Sequence, residues 1–403
     1  MFQSIDRVSI LLRGRVIAMS WQIERRSLRN ELIAILLCSV IIVGTMLAPR
    51  VAGSGEAFDH IVVILMENHG IDSVYNCGTD CSYMTSLADN YSLALHYTAI
   101  DHPSEPNYLA LFSGTTNGGG NAGSSNSSPD CSPSSSCTGG STPNLVDRLE
   151  AKGLTWSAYA ADLGPPIQSS NQCTGTNPYP SFNTVRHFPF FYFTDITSSS
   201  ERCGHTHHST EGPSTDSPCT SDCDPELVAE VNGPSPANFI WLTPNDCNNM
   251  HGTSSCPKSV ATGNAYLAAL VPQILASTTF TATRAALFIV FDEGGSSYPS
   301  DYVYAVWAGS AARNGLKSTS SYNHYSFLKT LEAVWGLQSL ESTDANAAPM
   351  TEFLNGSSTP SSPSGLVIPM PLILLSGAAG IAMIGGGLIY ALRRRARRRG
   401  SAR

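Results

Sequence analysis

The sequence predicts an α/β/α sandwich around a mainly parallel central sheet. Six short apolar runs point to it: HIVVILM (60–66), SLALHYTAI (92–100), TWSAYAA (155–161), ANFIWLT (237–243), AALFIVF (285–291) and YVYAVWA (302–308). Runs this short and continuous read as strands buried on both faces. Helical patterns at 106–112, 143–152, 224–231, 260–277 and 324–335 alternate with them. That alternation is the mark of a parallel sheet covered by helices.

Between these elements lie irregular stretches. Residues 114–144 are rich in Gly and Ser and read as a surface loop tied by Cys131 and Cys137. Residues 197–222 read as a second loop, with His205, His207 and His208 solvated. No internal repeat is visible.

Both ends look membrane-directed. The uncharged run 32–48 follows Arg7, Arg13, Arg15, Arg25, Arg26 and Arg29, the pattern of a signal sequence or an N-terminal anchor. Residues 366–392 are apolar and long enough to cross a bilayer, and RRRARRR follows at once. By the positive-inside rule that tail is cytoplasmic and the middle of the chain faces outward. The expected organisation is therefore 1–53 cytoplasmic N-terminus with signal or anchor, 54–350 outer domain, 351–365 stalk, 366–392 transmembrane helix and 393–403 cytoplasmic tail.

Cysteine use agrees with an outward domain. Cys38 lies in the first apolar segment; the other ten lie between Cys77 and Cys256, an even set that suggests up to five disulfides. Cys77/Cys81 and Cys131/Cys137 are close enough to close small loops. A zinc site is the competing reading, but the spacings match no usual four-ligand pattern. Between 51 and 365 there are 9 Lys+Arg against 28 Asp+Glu, a net of −19 that the whole-chain −8 hides. Such a field excludes general nucleic-acid binding, and an anionic substrate would need a local cation.

Four of the runs end in polar or acidic groups: Glu67-Asn68, Asp101-His102-Pro103-Ser104, Pro244-Asn245-Asp246 and Asp292-Glu293. Ligands of open parallel sheets bind beyond the carboxyl ends of the strands, so these residues are expected to converge. Acidic residues after a strand are also ordinary turn formers. Ser104 likewise fits an ordinary helix start, with Pro106 in the first turn and Gly114 at the end. The same hydroxyl at a helix N-terminus, beside a divalent cation, would be an activated nucleophile for a phosphate ester. Glu67, Asn68, Asp292 and Glu293 offer hard oxygen ligands suited to Mg²⁺, Mn²⁺ or Ca²⁺, or to Zn²⁺ or Fe in a mixed site. His102, His187, His251 and His324 are further ligands or proton donors, each with a purely structural reading beside it.

The segments HIVVILMENHGIDSVY, HPSEPNYLALFSGTT, TWSAYAADL, RHFPFFYFTDI, NFIWLTPNDCNNMHG, LFIVFDEGG and NHYSFLKTLEAVWGL occur in that order. Together they resemble the phosphoesterase family of bacterial acid phosphatases and phosphatidylcholine-type phospholipases C, within the alkaline-phosphatase-like superfamily, over about residues 58–338. The resemblance implies a metal-dependent phosphate-ester hydrolase. It implies Glu67-Asn68 and Asp292-Glu293 as metal-binding pairs, Ser104 as nucleophile with Asn107 as its partner, and His102, His187 and His324 around the phosphate. Asp246 and His251 match a segment of less definite role. The chain lacks a His after Asp292-Glu293 and a YDHV segment, departures that favour the acid-phosphatase branch over phospholipase C. The expected function is a membrane-anchored phosphomonoesterase acting on a small phosphate ester or a phospholipid. A phosphodiesterase or phospholipase C is the alternative within hydrolases; a non-catalytic surface protein retaining the fold is the alternative outside them.

Overall fold

The computed structural model describes residues 57–120, 130–161, 185–212, 217–295 and 302–356. The apolar segment 32–48, the span 366–392 and the arginine tail lie outside the described residues. Among the described residues no helix is long and apolar enough to cross a membrane.

One eight-stranded sheet organises the chain, in the order β4-β3-β5-β1-β6-β7-β2-β8. Its strands are β1 (His60–Met66), β2 (Ser92–Thr98), β3 (Trp156–Ala161), β4 (Thr206–Ser209), β5 (Phe239–Thr243), β6 (Ala285–Phe291), β7 (Ala305–Ala308) and β8 (Lys317–Asn323). All neighbours pair in parallel except β7, which runs antiparallel to both β6 and β2. The mainly parallel sheet is as expected from the sequence; the single reversed strand is not legible in YVYAVWA, because both orientations bury the same apolar run.

The helices of seven residues or more are α1 (Ser82–Asn90), α2 (Ser104–Ser113), α3 (Leu145–Ala151), α4 (Pro225–Val231), α5 (Val260–Leu275) and α6 (His324–Trp335). Local chemistry sets their ends. Asn144 and Asn323 each form a capping box, Ser259 caps α5, and Gly114 and Gly336 close α2 and α6 in the left-handed conformation. β1, β5 and β6 are buried along almost their whole length. Phe288 of β6 stacks on Phe327 of α6 at 4.9 Å and meets Trp307 of β7 at 4.5 Å, locking helix and sheet together.

The structure corrects two expectations and adds one strand not expected from the sequence. The histidine stretch is not a solvated loop: Thr206–Ser209 forms the edge strand β4, with its two end residues buried and its two histidines half-buried. His207 packs 5.0 Å from Tyr159, and His205 lies 5.0 Å from Trp156. The polar segment KSTSSYN forms the opposite edge, β8. Phe353 and Leu354, expected in the stalk, are buried and pair with the 311–313 backbone. Disulfides close Cys77–Cys81, Cys131–Cys137, Cys219–Cys223 and Cys247–Cys256, and Cys203 is disulfide-bonded as well.

A buried carboxyl pair ties β4 to the segment after β5. Glu211 accepts from the Asn245 N–H at 3.0 Å and from the Asn248 carboxamide at 2.7 Å. Asp224 accepts from the Ser209 hydroxyl and, at 2.7 Å, from Tyr266. Burial and the facing Asp224 raise Glu211 well above the carboxylate range, so it keeps its proton and donates to Asp224. Burial also pushes Asp224 up, to about 6. Both acids therefore hold protons more tightly folded than unfolded. Their stabilisation is complete below the ordinary carboxylate range; the Asp224 part is lost as pH rises through about 6, and the Glu211 part fades further up. Chemical denaturation at stepped pH should show a fall on the order of 2 kcal/mol or more between about pH 4 and 7 that is clearly reduced in Asp224→Asn. Identical slopes in the two proteins would remove this assignment.

Candidate active site

Parallel register builds the centre of the site. Along β1 and β6 every residue is paired, ending at Met66 opposite Phe291. The next residue on each strand is Glu67 on one and Asp292 on the other. Two carboxylates thus leave adjacent strands side by side, and neither is exposed at all. The backbone keeps them there: Asp292 N–H donates to the Met66 carbonyl at 2.9 Å, and Glu67 N–H to the Asn249 carbonyl at 2.8 Å. Asn68 adopts a left-handed φ of 58°, which asparagine tolerates better than most residues. Its N–H donates to Asp292 Oδ1 at 3.0 Å and its carboxamide to Glu67 Oε2 at 2.9 Å.

Ser104 is the first residue of α2, but it does not cap that helix; Pro103 occupies the cap position and no side chain bonds there. The hydroxyl instead donates to Glu67 Oε2 at 3.0 Å. Tyr108, one turn further along, donates to Glu67 Oε1 at 2.5 Å. Residues four apart share a helix face, so α2 grips both oxygens of one carboxylate. Ser104 therefore meets Glu67 directly, as expected of convergent strand ends.

Asn107 differs from expectation. Its carboxamide oxygen accepts from the N–H groups of Ile100 and Asp101 at 2.9 and 3.1 Å, and its nitrogen donates to the Asp101 carbonyl at 2.7 Å. It is a clamp on the loop that delivers Ser104, not a partner of the hydroxyl. His324 differs too. Nδ1 faces the Tyr97 hydroxyl at 3.1 Å and Nε2 faces the Asp292 carbonyl at 2.6 Å. Burial pushes its pKa down to about 4, so the ring is neutral and braces the Asp292 backbone from behind. Both of its ring nitrogens are thus engaged inside the protein.

His187 is the buried histidine of the centre. It stacks on Tyr108 at 5.2 Å, and Thr243 holds its carbonyl at 2.9 Å. Nδ1 lies 3.4 Å from Glu67 Oε1 and 3.6 Å from Asp246 Oδ1. Burial pushes the Asp246 carboxyl up, but His187 and His251 outweigh it and hold Asp246 below the usual range. His251 lies 5.4 Å from His187, ring to ring. His102, at the exposed rim, pairs with Glu293 at 2.7 Å. All eleven residues singled out in the sequence thus fall in or directly around one centre. Tyr108 was missed there: an aromatic in an apolar helix reads as core, and only the fold shows where its hydroxyl points.

The donor set fits a divalent cation. Burial, then the adjacent Asp292, raises Glu67 well above its ordinary range, and burial raises Asp292 as well. Two buried carboxylates in contact repel unless a proton or a metal lies with them. Asp292 Oδ2 is buried without a hydrogen-bond partner, as is His187 Nε2. Glu67, His187 and His251 also bring one ligand atom each within 4.8 Å of one another. Hard carboxylate oxygens with an imidazole suit Mg²⁺, Mn²⁺ or Zn²⁺.

The family model described as the Phosphoesterase family matches residues 75–338. That span contains Ser104, Asp292 and all four site histidines but begins after Glu67-Asn68, whose assignment rests on register and contact. The phosphatidylinositol-3-phosphatase of Mycobacterium tuberculosis is 27% identical over 347 residues, covering 85% of this chain and 99% of that protein. An acid phosphatase of Aspergillus fumigatus is 27% identical over 300 residues, covering 73% of this chain and 58% of that protein. Among solved structures, a protein in the alkaline phosphatase superfamily from Vibrio parahaemolyticus aligns at 13% identity with a TM-score of 0.45, covering 70% of this chain and 68% of its own. An inactive form of murine ectonucleotide pyrophosphatase/phosphodiesterase 5, in complex with AMP, aligns at 10% identity with a TM-score of 0.46, covering 73% of this chain and 100% of its own. The chain belongs to the Phosphoesterase family and is a hydrolase of phosphate esters.

Proposed function

We propose that the protein is a metal-dependent phosphomonoesterase that works through a phosphoserine on Ser104. One observation carries the reading: the Ser104 hydroxyl lies 3.0 Å from Glu67 Oε2, beside an Asp292 oxygen that is buried and unpartnered. Glu67, Asp292 and the Asn68 carboxamide oxygen would hold the cation, with Glu293 beside them. When bound, it would supply the positive charge that eases loss of the serine proton and steadies charge on the phosphoryl oxygens.

The chain's own residues then account for the steps. Asn107 fixes the 100–103 loop, so Ser104 Oγ enters the reaction already aimed. Oγ, its proton released to solvent, forms a bond to phosphorus as the bond from phosphorus to the ester oxygen breaks. His102, at the solvent rim against Glu293, gives the departing oxygen its proton. In the second half, water attacks phosphorus and passes a proton back to His102. The bond from phosphorus to Oγ breaks, and Oγ takes a proton from solvent to restore the serine hydroxyl. His187, stacked and buried, steadies the Glu67 carboxylate.

The mycobacterial relative is named for a phosphorylated lipid. A lipid-borne phosphomonoester suits an outward domain tethered by the 366–392 segment, and we extend the reading to that substrate class and that location. Rapid acid quench with a ³²P-labelled aryl phosphate should label the wild type and not Ser104→Ala, whose turnover should fall on the order of 10³-fold or more with unchanged melting. Labelling of the Ala variant, or wild-type turnover in it, would sink the nucleophile. Diacylglycerol release from phosphatidylcholine, in place of phosphate release, would turn the reading to phospholipase C.

A further inference from the structure

We infer that Lys258 forms a second anion subsite at the rim of the catalytic centre, selecting substrates that carry a further phosphate beyond the one removed. The inference rests on the phosphomonoesterase reading above and deepens it to a substrate class.

The position of Lys258 is fixed from two sides. Its ammonium donates to the Asn68 carbonyl at 2.6 Å. That same Asn68 holds Asp292 through its N–H and Glu67 through its side chain. The cation is therefore one residue removed from both central carboxylates. On the other side its backbone lies against Gly252: a side chain at that glycine would come within 2.4 Å of the Lys258 nitrogen. Gly252 is in turn bound by Asp246 through its N–H at 2.7 Å and by His251 Nδ1 at its carbonyl, at 2.9 Å. The Cys247–Cys256 disulfide ties the loop between them. Lys258 thus stands between two of the segments that form the centre, at its exposed edge.

Charge makes the position informative. Of the nine basic residues of the outer domain, Arg186, Arg202, Arg284, Lys317 and Lys329 are paired with carboxylates. The other four, Arg148, Lys152, Arg313 and Lys258, have no such carboxylate partner among the described residues, although acids outnumber bases threefold there; of these four, Lys258 is the one bonded to a residue of the centre, Asn68. Its carbonyl contact uses one of three ammonium donors and neutralises no charge. The remaining donors face solvent beside a site that must attract a dianion. A single phosphate seated at Ser104 would not need them; a second phosphate on the same molecule would.

The test compares wild type, Lys258→Met and Lys258→Arg on paired substrates. In solution these are a hexose bisphosphate and a hexose monophosphate. In mixed micelles they are a phosphoinositide monophosphate, which bears a second phosphate in its diester, and phosphatidic acid, which does not. Lys258→Met should lower kcat/KM about tenfold on the member with two phosphates and leave its mate within about twofold, the size expected for one charge-assisted contact at an exposed site. Lys258→Arg should keep most of the preference, and added salt should erode it. Loss confined to the micelle pair would assign the second phosphate to a lipid diester, and loss confined to the soluble pair to a bisphosphate. Equal loss on both members of each pair would make Lys258 a mere support for Asn68 and overturn the subsite. So would no loss on any substrate. Hydrolysis of the monophosphate by the variant keeps the phosphomonoesterase reading apart from either failure. No hydrolysis by the wild type would overturn both.

Discussion

Two carboxylates leaving adjacent parallel strands are the constraint on which the rest of this site depends. Parallel pairing of β1 with β6 puts Glu67 beside Asp292 with no freedom to part. Both are fully buried. An isolated buried carboxylate already costs several kcal/mol in a protein interior, and a second one in contact adds to it. Around this pair the chain has gathered donors: the Asn68 N–H and carboxamide, the Ser104 hydroxyl and the Tyr108 hydroxyl. Those four offset part of the cost. They leave one Asp292 oxygen without a partner, which is the feature a cation would complete. Ser104 owes its place to the same need, since the contact that would activate it is one that the buried charge already recruits.

The neighbouring shells serve position more than chemistry. Asn107 binds three backbone groups of one loop, and His324 braces the carbonyl of Asp292. The Glu211–Asp224 pair grips Asn245 and Asn248, flanking Asp246. Each is a buried polar group satisfied by backbone or by another side chain, as burial requires. Among the described residues, these bonds tie the segments that carry Ser104, Asp292 and Asp246 to other parts of the fold.

Much of this was legible in the sequence, for reasons tied to residue type. HIVVILM and AALFIVF admit no environment but a two-sided interior, so β1 and β6 and the acids that follow them could be found by reading. The helical pattern at 324–335 likewise coincides with α6. β4 and β8 were not legible, because an edge strand needs little apolar content and THHS and KSTSSYN look like turns. The roles of Asn107 and His324 could not be read either. A carboxamide or an imidazole near a nucleophile has the same letters whether it faces the substrate or the backbone, and only the direction of the side chain decides. Tyr108 was hidden in the opposite way, an aromatic whose ring belongs to the core while its hydroxyl belongs to the site.

Calorimetric titration of the chelator-stripped full chain with Mg²⁺, Mn²⁺, Ca²⁺ and Zn²⁺ addresses the carboxylate pair itself, with melting followed in parallel. Saturable uptake of at least one of these ions should raise the melting temperature of the wild type. The double replacement Glu67→Gln with Asp292→Asn should take up none, and without metal it should melt above the stripped wild type because a buried pair that must repel or hold a proton has gone. No uptake of any of the four by the wild type, together with a double variant less stable than the stripped protein, would show that the pair is at ease without a cation, contrary to the physical argument made for this site.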